Sequence, residues 1–304
     1  MQNENKKFFS KNGFIYLIYG IITVILQIII INLIYLVNPN YIDTYGLFNL
    51  LSPLCNYILP FPILYLAIKQ IKKEKIKKTS LNLKTFILYM GISLTLMWIG
   101  NICGLIITTL LGGVIQNDIA NPVQQLISSS DIWFNILIIS IMAPVFEELF
   151  FRKFLIDRSI KYGMRVSILL SATIFAFFHG NLNQFFYAFL IGGFFAYVYT
   201  KTGKIEYTII LHSFINIMGS VISLIVTNSV MNLENSITLF DIIIILIYLI
   251  FVAIMFIIAI FGLYNFRGKI FKKIELPLKT IFVNKGMILF MVFFIWVMIK
   301  QIIG

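Results

Sequence analysis

Long apolar runs separated by short polar stretches organise this chain. The runs cover about 13–37, 47–68, 85–115, 132–151, 166–182, 184–200, 207–227, 238–264 and 286–303. A helix needs roughly 20 mainly apolar residues to cross a hydrocarbon core. The pattern therefore predicts an all-α membrane protein, a multi-pass helical bundle of about eight or nine transmembrane helices. The ten-residue alternation that marks a membrane barrel is absent. The fifth and sixth runs lie close together and the third is long, so a re-entrant or kinked piece is compatible with the pattern. Pro53, Pro60 and Pro62 predict a kinked or irregular second helix.

Composition supports this reading. Hydrophobic residues make up 60% of the chain and charged residues only 12%, against about a quarter charged in soluble domains. Most of the length is consumed by spans, so one membrane domain is expected. It has N-terminal helices over 1–126, a central core over 127–227 and C-terminal helices over 228–304. The first run follows Lys6, Lys7 and Lys11 and is too long for a signal-peptide core. It is expected to be the first span. Cys55 and Cys103 sit in different apolar runs and read as packing residues rather than a disulfide or metal site.

The formal net charge of +12 could suggest a nucleic-acid partner, but the distribution of charge argues for membrane lipid. With a cytoplasmic N-terminus, the inner segments Lys6–Lys11, Lys69–Lys84, Arg152–Arg165, Lys201–Lys204 and Arg267–Lys285 hold 23 of the 24 basic residues. The intervening loops carry Asp43, Asp118, Asp131 and Glu234. This is the positive-inside asymmetry, and the cluster Lys69–Lys84 suits anionic headgroups. The abundance of Ile, Asn, Lys and Phe points to an AT-rich genome, and a bacterial cell membrane is the expected location. Nothing in these patterns encodes an oligomeric state.

Against this background, a few ionisable residues stand out because charge at membrane depth is costly and marks functional positions. Glu147, Glu148 and Arg152 lie in one apolar run, and the chain's two histidines, His179 and His212, lie in two others. Glu148 and Arg152 are i,i+4 neighbours in the favourable acid-before-base order. That leaves Glu147, about 100° round the helix, free to act as a base. Gly163 is the best turn between the fourth and fifth runs; Glu147 lies 16 residues before it and His179 lies 16 after it. Two antiparallel helices would each climb about 24 Å from that turn, which brings carboxylate and imidazole to one level. The fourth helix must then continue past Arg152 and project beyond the membrane surface. His212 and Asn216 are again i,i+4 and share a helix face.

The series Glu147-Glu148-x-x-x-Arg152, Phe175-x-x-x-His179 and His212-x-x-x-Asn216 resembles the CPBP family of intramembrane proteases, over roughly 130–220. That family includes CAAX prenyl endopeptidases and bacteriocin-processing or immunity homologues. One departure is the polar stretch Gly180-Asn181-Leu182-Asn183, at which the fifth helix either ends or opens into a water-filled cavity. The resemblance implies an endopeptidase acting on a membrane-associated or lipid-modified peptide or protein. Glu147 paired with His179 would activate water, His212 and Asn216 would face the developing oxyanion, and Arg152 would anchor Glu148. The site is expected to open toward the cytoplasm. Glu147, His179 and His212 could also form a zinc set with an open fourth position, but no His-Glu-x-x-His helix is present, and a metal-free glutamate mechanism is preferred. The alternatives are a non-proteolytic immunity or regulatory scaffold of the same family, or a proton-coupled transporter, since intramembrane acids and histidines also form relays.

Overall fold

The structure, a computed structural model, describes residues 2–38, 51–235, 238–270 and 274–303. Asp43 and the start of the predicted second run, 47–50, lie outside the described residues, as do Lys272 and Lys273. Among the described residues the secondary structure is helical throughout, and eight helices are long and apolar enough to cross a membrane. The protein is a multi-pass helical membrane protein.

The helices are α1 (Gln2–Val37), α2 (Leu51–Ile68), α3 (Leu83–Ile115), the short α4 (Pro122–Ser129) and α5 (Ile132–Tyr162). They continue as α6 (Met164–Phe178), α7 (Leu182–Thr202), α8 (Ile205–Leu233), α9 (Leu239–Ile270), the short α10 (Leu278–Phe282) and α11 (Lys285–Ile303). One predicted run is corrected in length. The run 166–182 becomes α6, 15 residues long, about 22 Å and short of a roughly 30 Å core. The polar sequence after His179 ends it: Gly180 takes a left-handed φ of 63°, and Asn181 caps α7 by accepting from the Gln184 N–H at 2.8 Å.

Contacts between chain ends fix which helix termini lie together. At one end Thr79 donates to the Thr202 carbonyl at 2.8 Å and Glu74 to that of Asp157 at 2.7 Å, laying segment 69–82 across the ends of α5 and α7. At the opposite end Asn183 and Gln301 both donate to the Ala120 carbonyl. The lysines of 69–82 thus gather beside Lys201, Lys204 and Lys161, as the charge pattern predicts. Close packing between α3 and α7 uses small residues: Gly100 and Gly104 face the backbone of Tyr187 and Asn183, leaving no room for a side chain.

Helix α5 does continue well past Arg152 to the turn at Gly163, whose φ of 115° suits glycine. It is not a uniform α-helix. It widens to π geometry over Asn135–Met142 and again over Glu148–Phe154, a local distortion common at functional positions. Neighbouring helices use the carbonyls of the widened turns: Phe150 accepts from the Tyr16 hydroxyl at 2.6 Å and Phe151 from the Ser171 hydroxyl at 2.7 Å.

Candidate active site

The three polar clusters converge on one cavity of about 660 Å³, whose walls include Glu147, His179, His212 and Asn216. That volume lies within the range of small-molecule and peptide sites. Its position follows from three helices: α5 supplies the acids, the end of α6 supplies His179, and α8 supplies His212 and Asn216.

Glu148 and Arg152 form the expected pair. Arg152 Nε stands 3.1 Å from Glu148 Oε2, and both side chains are fully buried. The contact pairs the charges but departs from hydrogen-bond alignment, since neither atom has a hydrogen-bond partner. The guanidinium lies over the Phe175 ring at 4.4 Å and within 5.9 Å of the Phe195 ring, contacts that favour a desolvated cation. The remaining carboxylate oxygen, Glu148 Oε1, receives His212 Nδ1 at 2.9 Å. Arg152, Glu148 and His212 therefore form one buried chain of contacts, and Phe175 packs its edge against His212 as well.

Glu147 has different partners from those the hairpin argument suggested. Its Oε1 accepts the Tyr57 hydroxyl at 2.6 Å, and its Oε2 stands 3.6 Å from His212 Nε2. The latter distance is an electrostatic contact, too long for a hydrogen bond. His179 shares the cavity with Glu147 and lies close enough for their charges to interact. Its Nδ1, however, bonds the Phe175 carbonyl at 2.8 Å. A carbonyl can only accept, so Nδ1 carries the hydrogen, and in the neutral ring Nε2 is the basic nitrogen. The imidazole folds back because the last turn of α6 has carbonyls seeking donors.

Asn216 lines the cavity, but one hydrogen of its Nδ2 is engaged by the Ile139 carbonyl at 2.8 Å. Pro144 explains why that carbonyl is available. In the π register of α5 the Ala143 N–H bonds the Ile138 carbonyl, and Pro144, next in line, has no N–H to offer Ile139. Among the described residues no three His, Cys, Asp or Glu side chains form a group that could hold a metal ion.

Sequence reasoning missed two groups. Tyr57 comes from the irregular part of α2, where Asn56-Tyr57 between Pro53 and Pro60 was a legible polar interruption. The second is the ladder Asn181, Gln184, Tyr187 on α7, visible as polar side chains at i,i+3 spacing.

Residues 129–218 match the family model described as type II CAAX prenyl endopeptidase Rce1-like. The match, over less than a third of the chain, supports the resemblance to the CPBP/CAAX protease family. The matched stretch runs from the end of α4 through Met218 and contains Glu147, Glu148, Arg152, His179, His212 and Asn216, whereas Tyr57 lies outside it. No curated protein and no solved structure matches the chain.

Proposed function

We propose that this chain is an intramembrane endopeptidase that hydrolyses a peptide bond of a membrane-associated or lipid-modified substrate by a metal-free, glutamate-based mechanism. The observation that carries this reading is the contrast between the two neighbouring acids. Glu148 is fully buried and committed to Arg152 and His212, while Glu147 reaches the cavity with Oε2 free of a hydrogen bond. A carboxylate so placed can take a proton from water as that water attacks a carbonyl carbon.

The other residues follow from their contacts. His179, with Nδ1–H fixed on the Phe175 carbonyl, offers Nε2 to hold the same water. His212 spans the two acids with Nδ1–H on Glu148, so its Nε2 can donate only from the protonated ring; that edge and Asn216 face the cavity, where a substrate carbonyl would sit. Donors directed at the oxygen that becomes negative lower the barrier to the tetrahedral intermediate. Collapse of that intermediate breaks the C–N bond, and the proton held by Glu147 passes to the leaving amine. The basic end of the bundle suits the cytoplasmic face of a cell membrane, with lipid as its immediate partner.

The test uses the full chain in lipid vesicles with an internally quenched peptide ending in a prenylated cysteine and three further residues. Glu147→Gln and His179→Ala, each unfolding at the wild-type temperature, are expected to lower turnover by about 10²-fold or more. Full activity in either overturns the assignment. Activity is expected to survive stringent chelation; complete loss with recovery on adding zinc would overturn the metal-free mechanism.

A further inference from the structure

We propose that Tyr187 is a catalytic hydrogen-bond donor, its hydroxyl directed into the cavity by a one-way chain of hydrogen bonds that begins at the N-cap of α7, and that it donates to the scissile carbonyl as negative charge develops there. The proposal rests on the proteolytic reading above and adds a residue to it.

The direction of the chain is fixed at its first member. Asn181 is the N-cap of α7, and its side chain accepts from the Gln184 backbone N–H at 2.8 Å. An N–H must meet an oxygen, so that atom is Oδ1 and the other side-chain atom is the Nδ2 donor. Nδ2 lies 2.6 Å from Gln184 Oε1 and 3.2 Å from the His179 carbonyl, both acceptors. Gln184 must therefore present its Nε2 on the far side, and Nε2 donates to the Tyr187 oxygen. With its oxygen used as an acceptor, the phenol has its hydrogen left to give.

Several other donors of the cavity are engaged, although the Trp98 indole N–H has no hydrogen-bond partner. Tyr57 donates to Glu147 and Tyr19 to the Asn56 carbonyl at 2.5 Å. One Asn216 hydrogen is held by Ile139, and His212 Nδ1 is engaged by Glu148. Among the described tyrosines of the cavity, Tyr187 is the one whose hydrogen is not given to another protein group. Its position is also right. The ring lies edge-on to His179 with centroids 6.1 Å apart, and Glu147 is close enough for charge interaction. Gly100 secures this placement, because any side chain there would strike the Tyr187 backbone. A neutral phenol held in place before reaction suits an oxyanion, since no reorganisation is needed as charge appears.

The chain's polarity supplies the test. Tyr187→Phe removes the donor and keeps the ring. Gln184→Glu keeps the tyrosine but replaces the donor Nε2 with a carboxylate oxygen, which draws the Tyr187 hydrogen back from the cavity. Each is expected to lower kcat by about 10²–10³-fold on the same quenched prenylated peptide, with KM changed by less than about threefold. The double variant should be no worse than either single one. Raman difference spectra (each background minus its Tyr187→Phe form) should show Tyr187 as an acceptor in the resting protein and as a donor in Gln184→Glu.

Wild-type kcat in Gln184→Glu, a loss confined to KM, or a resting tyrosine that already donates would overturn the role of Tyr187. Those results would leave the protease assignment intact. A wild-type protein that cleaves no prenylated peptide would instead overturn the assignment and the role together.

Discussion

The Tyr57 hydroxyl donates to Oε1 of Glu147 across 2.6 Å, joining α2 to the acid doublet of α5. Ninety positions separate the two residues, and only Glu147 lies in the segment that matches the protease family. The bond holds one carboxylate oxygen and leaves Oε2 toward His212 and the cavity. Helix α2 is thus part of the site, and its π turn over Leu54–Ile58 helps to place the phenol.

Removing that donor should misplace the base without emptying the pocket. A hydrogen bond to a charged group is worth about 1.5–3 kcal/mol, so Tyr57→Phe is expected to reduce kcat by roughly ten- to a hundredfold with KM little changed. Steady-state kinetics on the quenched prenylated peptide would show it. Unchanged kcat would mean that Glu147 is oriented without Tyr57.

Arg152 and Glu148 should behave as a unit. Arg152→Met leaves a fully buried carboxylate without its cation, and breaking such a pair costs about 3–5 kcal/mol. Thermal unfolding in detergent should show a large loss for this variant. The double variant Arg152→Met/Glu148→Gln should regain most of that stability, because no unpaired charge remains. Equal loss in the double variant would show that packing against Phe175 and Phe195, rather than charge, dominates.

Gly163 carries the hairpin between α5 and α6. A methyl group there would meet a φ of 115° and the side chain of Glu275, whose carboxylate accepts from the Val166 N–H at 3.3 Å. Gly163→Ala is expected to destabilise by about 1–3 kcal/mol, read from the unfolding temperature. Trimming the contact with Glu275→Ala should recover little, since the backbone conformation is itself unfavourable for an L-residue.

Segment 69–82 offers a test of orientation. A single cysteine at exposed Lys75, in a background with Cys55 and Cys103 replaced, should react with an impermeant maleimide only when the cytoplasmic face is open to the reagent. Labelling from outside intact cells would reverse the proposed topology.

The sequence by itself determined the class of molecule, because burial in lipid leaves only long apolar helices and a few ionisable interruptions. The nine runs, the gathering of lysines at one end and the turn at Gly163 were legible for that reason. So was the Glu148–Arg152 pair, which depends only on i,i+4 spacing within one helix. What each remaining side chain touches was decided by tertiary structure. Glu147 could be placed at the level of His179 by counting residues, but not assigned to Tyr57 and His212. Those contacts depend on how α2 and α8 rotate and on the two π turns that re-aim α5. The same holds for the direction of the Tyr187 hydrogen: periodicity shows that Asn181, Gln184 and Tyr187 share a face, and only the cap geometry says which atom donates. Spacing along one helix is a local property that sequence carries. Contact between helices depends on their relative rotation and register, which packing of the whole bundle sets.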